Sequence, residues 1–505
     1  MFVGEEAHIS LQNLRFKSAG SLVAIVEMQS KILFEDNTLI GTTIKNSFEV
    51  DGGELVLSNL KLEFENNNER RVSNLVNFGE LGGKLLVLKT SIEQVITDGD
   101  RPLFGDGLAS EISLTNCKFN QVHIDHYGTS NIADNIIGSG NVYIQDCSFV
   151  EVENALMGGV VNGLNSNRNL SVVGSLFKSC HNTKHIIERV SNKKYHTDIL
   201  SGDAKFSDDT FEDCSSQDFG GSISFKSEGN LKLGDVRIRR STSYGGKGGA
   251  IYFQGNGQLT IGDVTLRECK CLGSQIGQGG VIYIEGTGIH KFGDVRFSDG
   301  SASGQEISEG GSIYAKGGQN KFSDVSFTSS SAIVTSSSQS NIEADQSSSL
   351  GGALMAIDWL SESSFSDVSF TSCVAGSGAG IYIVSVYDRI KFSDVRFKEN
   401  IASVAGGGGI FAQDTNMIYL RYCKFTSNQA YGSKYGNDLH FSELGVEIEQ
   451  PDMLQIKNDM IYRSKSNSLE SRVYIAGFGS QVDWLPDRYE GEFPFWARIL
   501  LNVVE

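Results

Sequence analysis

Proline is almost absent from this chain, with four residues in 505. Strands are therefore seldom interrupted by a residue that cannot donate to a β-ladder. Long apolar runs are absent too, since none approaches the roughly 18 residues that a membrane-crossing helix needs. Positive charge is in deficit: 43 Lys and Arg stand against 61 Asp and Glu, a net charge of −18. That balance argues against nucleic acid or an anionic membrane as partner and favours solubility. Met1–Ser10 (MFVGEEAHIS) carries acids and no basic start followed by an apolar block, so it does not read as a signal peptide. We expect that the chain lacks its natural start rather than that it is cytosolic. The eight cysteines show no zinc-ligand spacing, Cys269 and Cys271 forming only a C-x-C. Phosphate loop, nucleophile elbow and dinucleotide fingerprint are missing, and no cofactor is expected.

What the chain has instead is a repeat. Lys321–Phe327 (KFSDVSF) has near-copies at 232–238, 260–266, 291–297, 364–370 and 391–397. Their aspartates, Asp235, Asp263, Asp294, Asp324, Asp367 and Asp394, are 28, 31, 30, 43 and 27 residues apart. Each copy follows a glycine-led apolar run, such as Gly248–Phe253 (GGAIYF) or Gly279–Ile284 (GGVIYI). Fifty-eight glycines without the collagen triplet suit many tight corners. Short strands at this period bury a face only by stacking on one another, as coils of a solenoid.

Within KFSDVSF, Phe322, Val325 and Phe327 should point inward, with the chain bending at Ser323-Asp324. Like residues should then form ladders: Phe292, Phe322, Phe365 and Phe392 in one, Ile251, Ile282, Ile313, Leu354 and Ile381 in another. Worn copies of the same grammar, such as Ile112–Phe119 (ISLTNCKF), run through the first 204 residues. The expected organisation is degenerate coils over 1–204, regular coils over 205–441, and a C-terminal cap or truncated further module over 442–505. About 15 coils, stacked at roughly 4.8 Å, would make a monomeric rod on the order of 70 Å long. Loop length is expected to vary at one corner only, most of all in the serine-rich Thr328–Leu350. His181–Gly202 is expected to hold a short helix.

The pairing of GG-A-I (Gly248–Ile251) with F-x-x-N (Phe397–Asn400, Phe425–Asn428) resembles the repeats of polymorphic outer membrane proteins. Cysteine replaces the asparagine at Phe177–Cys180, Phe211–Cys214 and Phe370–Cys373. The resemblance covers 205–441 well and implies an all-β, right-handed, single-stranded parallel β-helix of the pectin lyase-like type. It also implies an adhesin-like, non-enzymatic protein of the cell surface or exterior, binding a host or neighbouring-cell protein or glycan. A carbohydrate-active enzyme on the same fold and a purely structural rod are the alternatives.

Candidate chemistry is sparse. Asp208 and Asp209 (FSDDTF) form a carboxylate pair that could serve glycoside hydrolysis. Arg389-Ile390-Lys391 resembles the basic tripeptide of polygalacturonases, whose Gly-His-Gly is missing here; Lys391 also shares a column with Lys232, Lys291 and Lys321. Asp294, Asp324, Asp367 and Asp394 could line up calcium, although one carboxylate per coil is thin for it. Capping of backbone N–H groups, or pairing with Arg237, Arg296 and Arg396, is the structural alternative. His123, Asp125 and His126, or His181 and His185, could bind a transition metal but lack a third ligand. Tyr252, Tyr283, Tyr314 and Tyr382 form an outward stripe, suited either to sugar stacking or to ladder packing under a loop. Cys117–Cys147 and Cys180–Cys214 should sit at equivalent positions on adjacent coils, within disulfide reach in an oxidising exterior.

Overall fold

Two left-handed corners made by residues other than glycine recur along the described coils. In the computed structural model Asp324 has φ 56°, and Asp263, Asp294, Asp367 and Asp394 lie between 53° and 56°. Aspartate and asparagine tolerate this conformation better than most residues. The turn it makes lets Phe322, Val325 and Phe327 all face inward, at 1%, 2% and 0% exposure. A second left-handed corner, unexpected from the sequence, comes two residues after the second phenylalanine. It falls at Glu268, Asp299, Ser329, Ser372, Glu399 and Ser427, with φ 52–57°. Both corners are placed by short strands on either side, and the chain advances one rung per circuit.

The structure describes residues 2–3, 7–17, 24–45, 47–65, 70–98, 103–106, 109–125, 141–152, 169–182, 202–217, 219–335, 348–404, 406–431, 439–442, 445–449, 460–463 and 473–476. Two compact units divide the chain, Met1–Ser241 and Thr242–Glu505, so the boundary expected at 204 falls inside the first. Among the described residues there is no α-helix. The helix expected in His181–Gly202 lies outside them, apart from the strand His181–Asn182.

In unit 1 a parallel ladder runs from His8–Gln12 through Lys31–Glu35, Glu54–Ser58, Lys84–Leu88, Glu111–Thr115, Asn141–Gln145, Leu170–Val173 and Ala204–Ser207 to Leu231–Gly234. Registration places Ile32, Leu55, Leu85 and Ile112 directly over one another, all fully buried. Phe119, Phe149, Phe177 and Phe211 stack face to face, with ring centroids 5.0, 5.0 and 4.7 Å apart.

Unit 2 is the more regular. The expected aliphatic ladder Ile251–Ile282–Ile313–Leu354–Ile381 is present in perfect register and fully buried. So is the stack Phe292–Phe322–Phe365–Phe392, at 4.6, 4.7 and 4.6 Å. A second stack joins Phe297, Phe327, Phe370, Phe397 and Phe425 at 4.7–4.9 Å. Such pairs add about 0.5–1.5 kcal/mol each beyond their buried area. Both glycines of the GG pair have work to do. Gly279 and Gly310 take φ 67° and 63°. Gly280 lies so close to the next rung that a Cβ would sit 2.0 Å from the Gly311 carbonyl oxygen.

Four expectations change in detail. The number of turns differs slightly from the 15 expected. Length varies at a second corner as well, because Ala356 to Ser363 spans two residues more than Ala315 to Asn320. The extra chain inserts Trp359, fully buried, whose Nε1 donates to the Ala315 carbonyl at 3.0 Å. Parallel pairing also continues past Phe441, through Gly445–Glu449, Met460–Arg463 and Val473–Ala476. Finally, the serine-rich stretch is partly coil. Ser331–Val334 pairs with Ser301–Gly304, Ala332 is buried over Ala302, and the Ser330 hydroxyl bonds that of Ser312 at 2.6 Å.

That last point sets a prediction. Excising residues 336–347 with a short linker should leave the melting temperature nearly unchanged. Excising Ser329–Ser348 should lower it clearly, because it removes a rung. Differential scanning calorimetry of the two deletions, with equal melting points, would contradict this division.

Candidate functional site

The corner aspartates are exposed and hold the left-handed turn of each corner. Of the three expected arginine partners, Arg296 pairs with Asp294 at 3.5 Å, between two exposed groups. Such a contact is worth about 0–1 kcal/mol. No group of three or more potential metal ligands occurs among the described residues, and Asp324, Asp367 and Asp394 are held apart, one per rung. His126 and His185, and the side chain of Asp125, lie outside the described residues. His181 uses its Nδ1 on the Ser215 hydroxyl at 2.9 Å. Arg389 and Lys391 bracket the fully buried Ile390, so the basic tripeptide is ordinary strand alternation; Lys391 pairs with Glu362 at 2.8 Å.

Asp208 and Asp209 part company. Asp208 occupies the left-handed corner (φ 59°) and is exposed. Asp209 follows it into the interior, fully buried, in the column of Cys117, Cys147 and Ser175. At this position a backbone N–H is left without a carbonyl on the next rung, and a side chain there accepts it. The Ser175 hydroxyl takes the N–H of Cys147 at 3.1 Å. Asp209 takes those of Ser175 and Ser207 at 2.8 and 2.9 Å. Asp209 is thus held by backbone N–H groups inside the coil, while Asp208 faces outward.

Burial pushes the Asp209 carboxyl up to about 7 from 3.8, against the two N–H bonds that favour its charged form. The stability it contributes is present in full below 3.8 and is lost as pH rises through about 7. Urea titrations should find wild type less stable at pH 8 than at pH 5, by up to about 3 kcal/mol. The Asp209→Ser variant, which copies Ser175 one rung earlier, should lose that slope. An identical slope in both proteins would contradict the assignment.

The second corner explains the F-x-x-N motif. Asn400 Oδ1 accepts the N–H of Cys373, and Asn428 Oδ1 that of Asn400, both at 3.0 Å. Their Nδ2 groups donate back to the carbonyls of Phe370 and Phe397. Cysteine replaces asparagine in this buried column at Cys180, Cys214, Cys269 and Cys373. The expected register holds, with Cys117–Cys147 and Cys180–Cys214 on adjacent rungs, and all eight cysteines are buried and form no disulfide. Burial pushes Cys271, Cys373 and Cys423 up to about 12, so they behave as inert packing groups.

The tyrosine stripe carries a polar network in unit 2. It is not open for sugar stacking: Tyr252, Tyr283, Tyr314 and Tyr382 are only 2–8% exposed. The first three rings stack at 5.2 and 5.0 Å, Met355 takes the next rung, and Tyr382 stacks on Phe411 at 4.7 Å. Their hydroxyls meet polar side chains of the same and neighbouring rungs. Tyr252 donates to Gln254 at 2.7 Å and Tyr283 to Glu285 at 2.8 Å. Lys247 donates to the Tyr283 hydroxyl at 3.1 Å, with its ammonium 4.5 Å from the ring centroid. Gln278 donates to Glu309 at 2.7 Å, and Lys316 pairs with Glu285 at 3.7 Å. Burial raises Glu309, and the Tyr382 phenol to about 12. The result is a strip of fixed donors and acceptors whose phenols stay protonated. Reading down the repeat columns would have found Lys247, Gln278 and Glu309, since each immediately precedes a GG pair.

A family model described as "Right handed beta helix region" matches residues 249–443. With the parallel ladders, this makes the protein a right-handed parallel β-helix, a solenoid of stacked coils. No curated protein and no solved structure matches the chain.

Proposed function

We propose that this chain is a non-enzymatic interaction scaffold of adhesin type, working at the cell surface or outside the cell. One observation carries the reading. In unit 2, Leu272, Ile333 and Val374 on one short-stranded sheet and Ile276 on the next sheet along the coil are 36–48% exposed. They belong to neighbouring rungs: Leu272 aligns through Ser303 with Ile333, Ile276 aligns with Ile307, and Val374 lies beside Ser331. Exposed apolar residues that recur on nearby rungs are a feature of partner-binding surfaces. The reading is further supported by the use of Asp209, the cysteines and the tyrosines within the scaffold itself. The GG-A-I and F-x-x-N pairing supports the likeness to polymorphic outer membrane protein repeats, and with it the exterior location. Because both motifs have roles in the corners, they speak for architecture more than for ancestry.

The test is adhesion to cells and to immobilised cell-surface proteins and glycans. An Ile276→Asp/Ile333→Asp variant that keeps its circular dichroism should lose binding by about tenfold or more. Full binding by that variant would refute this surface. Turnover of polyuronides or other glycans would replace the reading with a carbohydrate-active enzyme. A protein that binds nothing in these assays would be a structural rod.

A further inference from the structure

His290 is a fully buried imidazole in the interior of unit 2, on the rung between Leu259 and Asn320. Its Nδ1 lies 3.0 Å from Asn320 Oδ1. The Asn320 Nδ2 donates to the Gly317 carbonyl at 3.1 Å, which fixes the amide and makes Oδ1 the acceptor. Nδ1 therefore carries the hydrogen, and Nε2 is a bare lone pair with no hydrogen-bond partner. Phe253 stands edge-on to the ring at 5.7 Å. Gly318, at φ 68°, presses close enough that a Cβ there would meet the imidazole Cε1 at 2.7 Å. The site accepts a neutral ring and offers no acceptor for a second N–H.

Among the described residues, nothing charged faces it. On its own strand Lys291 and Asp294 are exposed, as are Asp263 and Arg267 on one neighbouring strand and Lys321 and Asp324 on the other. Tyr252, Tyr283 and Tyr314 lie on the opposite face of their strands, and Glu285 and Lys316 pair with each other outside. The inward neighbours Phe253, Leu259 and Asn320 do not titrate.

We propose that His290 is an acid-sensitive latch on the turn column of unit 2. Protonating it puts a cation and an unsatisfied N–H into the core. The ring must then leave, and the turn that presses on it, at Gly317–Gly318, opens with it, together with the adjoining turn at Gly286–Gly288. Gln319 N–H, bonded to the Gly288 carbonyl at 3.0 Å, ties those two turns together. The low interior pKa, about 4 against 6.5 for a free imidazole, sets the window. A depressed histidine binds its proton better when the turn is open, so closure is complete above 6.5 and weakens as pH falls toward 4. Between pH 7 and 4.5 the open fraction should rise about 60-fold.

Hydrogen exchange measured at both pH values, corrected for intrinsic rates, reads that change at residues 286–290 and 317–320. His290→Leu, which copies Leu259 in the same column, should abolish the rise at those amides while leaving the rest of unit 2 alike. His290→Asn, which copies Asn320, provides a second variant should the first fail to fold. Glu309, raised by burial, shifts with the opposite sign and stays in all three proteins, so it cancels in the comparison. The latch is overturned if wild type and variants show the same pH response. It is equally overturned if the His290 ring titrates near 6.5 by NMR with the turns still protected.

Discussion

Phe322→Asp should cost unit 2 at least about 4 kcal/mol and unravel it locally rather than throughout. Phe322 is sandwiched between Phe292 and Phe365, at 4.6 and 4.7 Å, with Trp359 6.5 Å away. The substitution removes both stacking faces and replaces them with a carboxylate at 1% exposure. No cation is available to it, since Lys321 on the same strand points outward. In a repeat structure each rung leans on its neighbours, so loss of protection should begin at residues 292–365. Hydrogen exchange that stayed uniform and equal to wild type would show that the ring is not held in the stack.

Gly280→Val should be comparably damaging, whereas Gly293→Ala should be nearly silent. A Cβ at Gly280 would lie 2.0 Å from the Gly311 carbonyl oxygen and 2.3 Å from the Ser301 carbonyl carbon, both backbone. Neither can move without breaking the ladder, so several kcal/mol or failure to fold is expected. At Gly293 nothing lies within 4 Å of the added carbon, and its column holds serine at Ser323, Ser366 and Ser393. Alanine there should change stability by less than about 0.5 kcal/mol. Chemical denaturation of the two variants decides the matter, and a tolerated Gly280→Val would mean that the rungs stand further apart.

Much of this architecture was legible because a solenoid turns sequence period into spatial neighbourhood. Once Phe292 and Phe322 are aligned by the repeat, their contact follows, as does that of Ile282 with Ile313. The positive φ of the aspartate corner could be read the same way, from a residue type that tolerates it. The second corner was harder. Glu268 and Glu399 are not turn formers by type, and it is the buried residue after each such corner, ending in the Asn400–Asn428 pair, that holds the bend.

The amino-acid sequence by itself determined the repeat, the inward ladders, the glycine corners and the paired cysteine columns. These depend on local periodicity and on side-chain volume, which each coil restates. Tertiary structure alone decided which polar groups are available. Asp208 and Asp209 are adjacent and chemically identical, yet one is exposed at a corner and the other is buried on two N–H groups. The tyrosines alternate outward from the aliphatic ladder, yet they are covered. His290 occupies a position that leucine fills one rung earlier, and only its neighbours leave Nε2 bare. The reason is physical: period tells which face of a strand a residue takes, whereas burial and hydrogen bonding depend on what the loops and adjacent rungs place over that face.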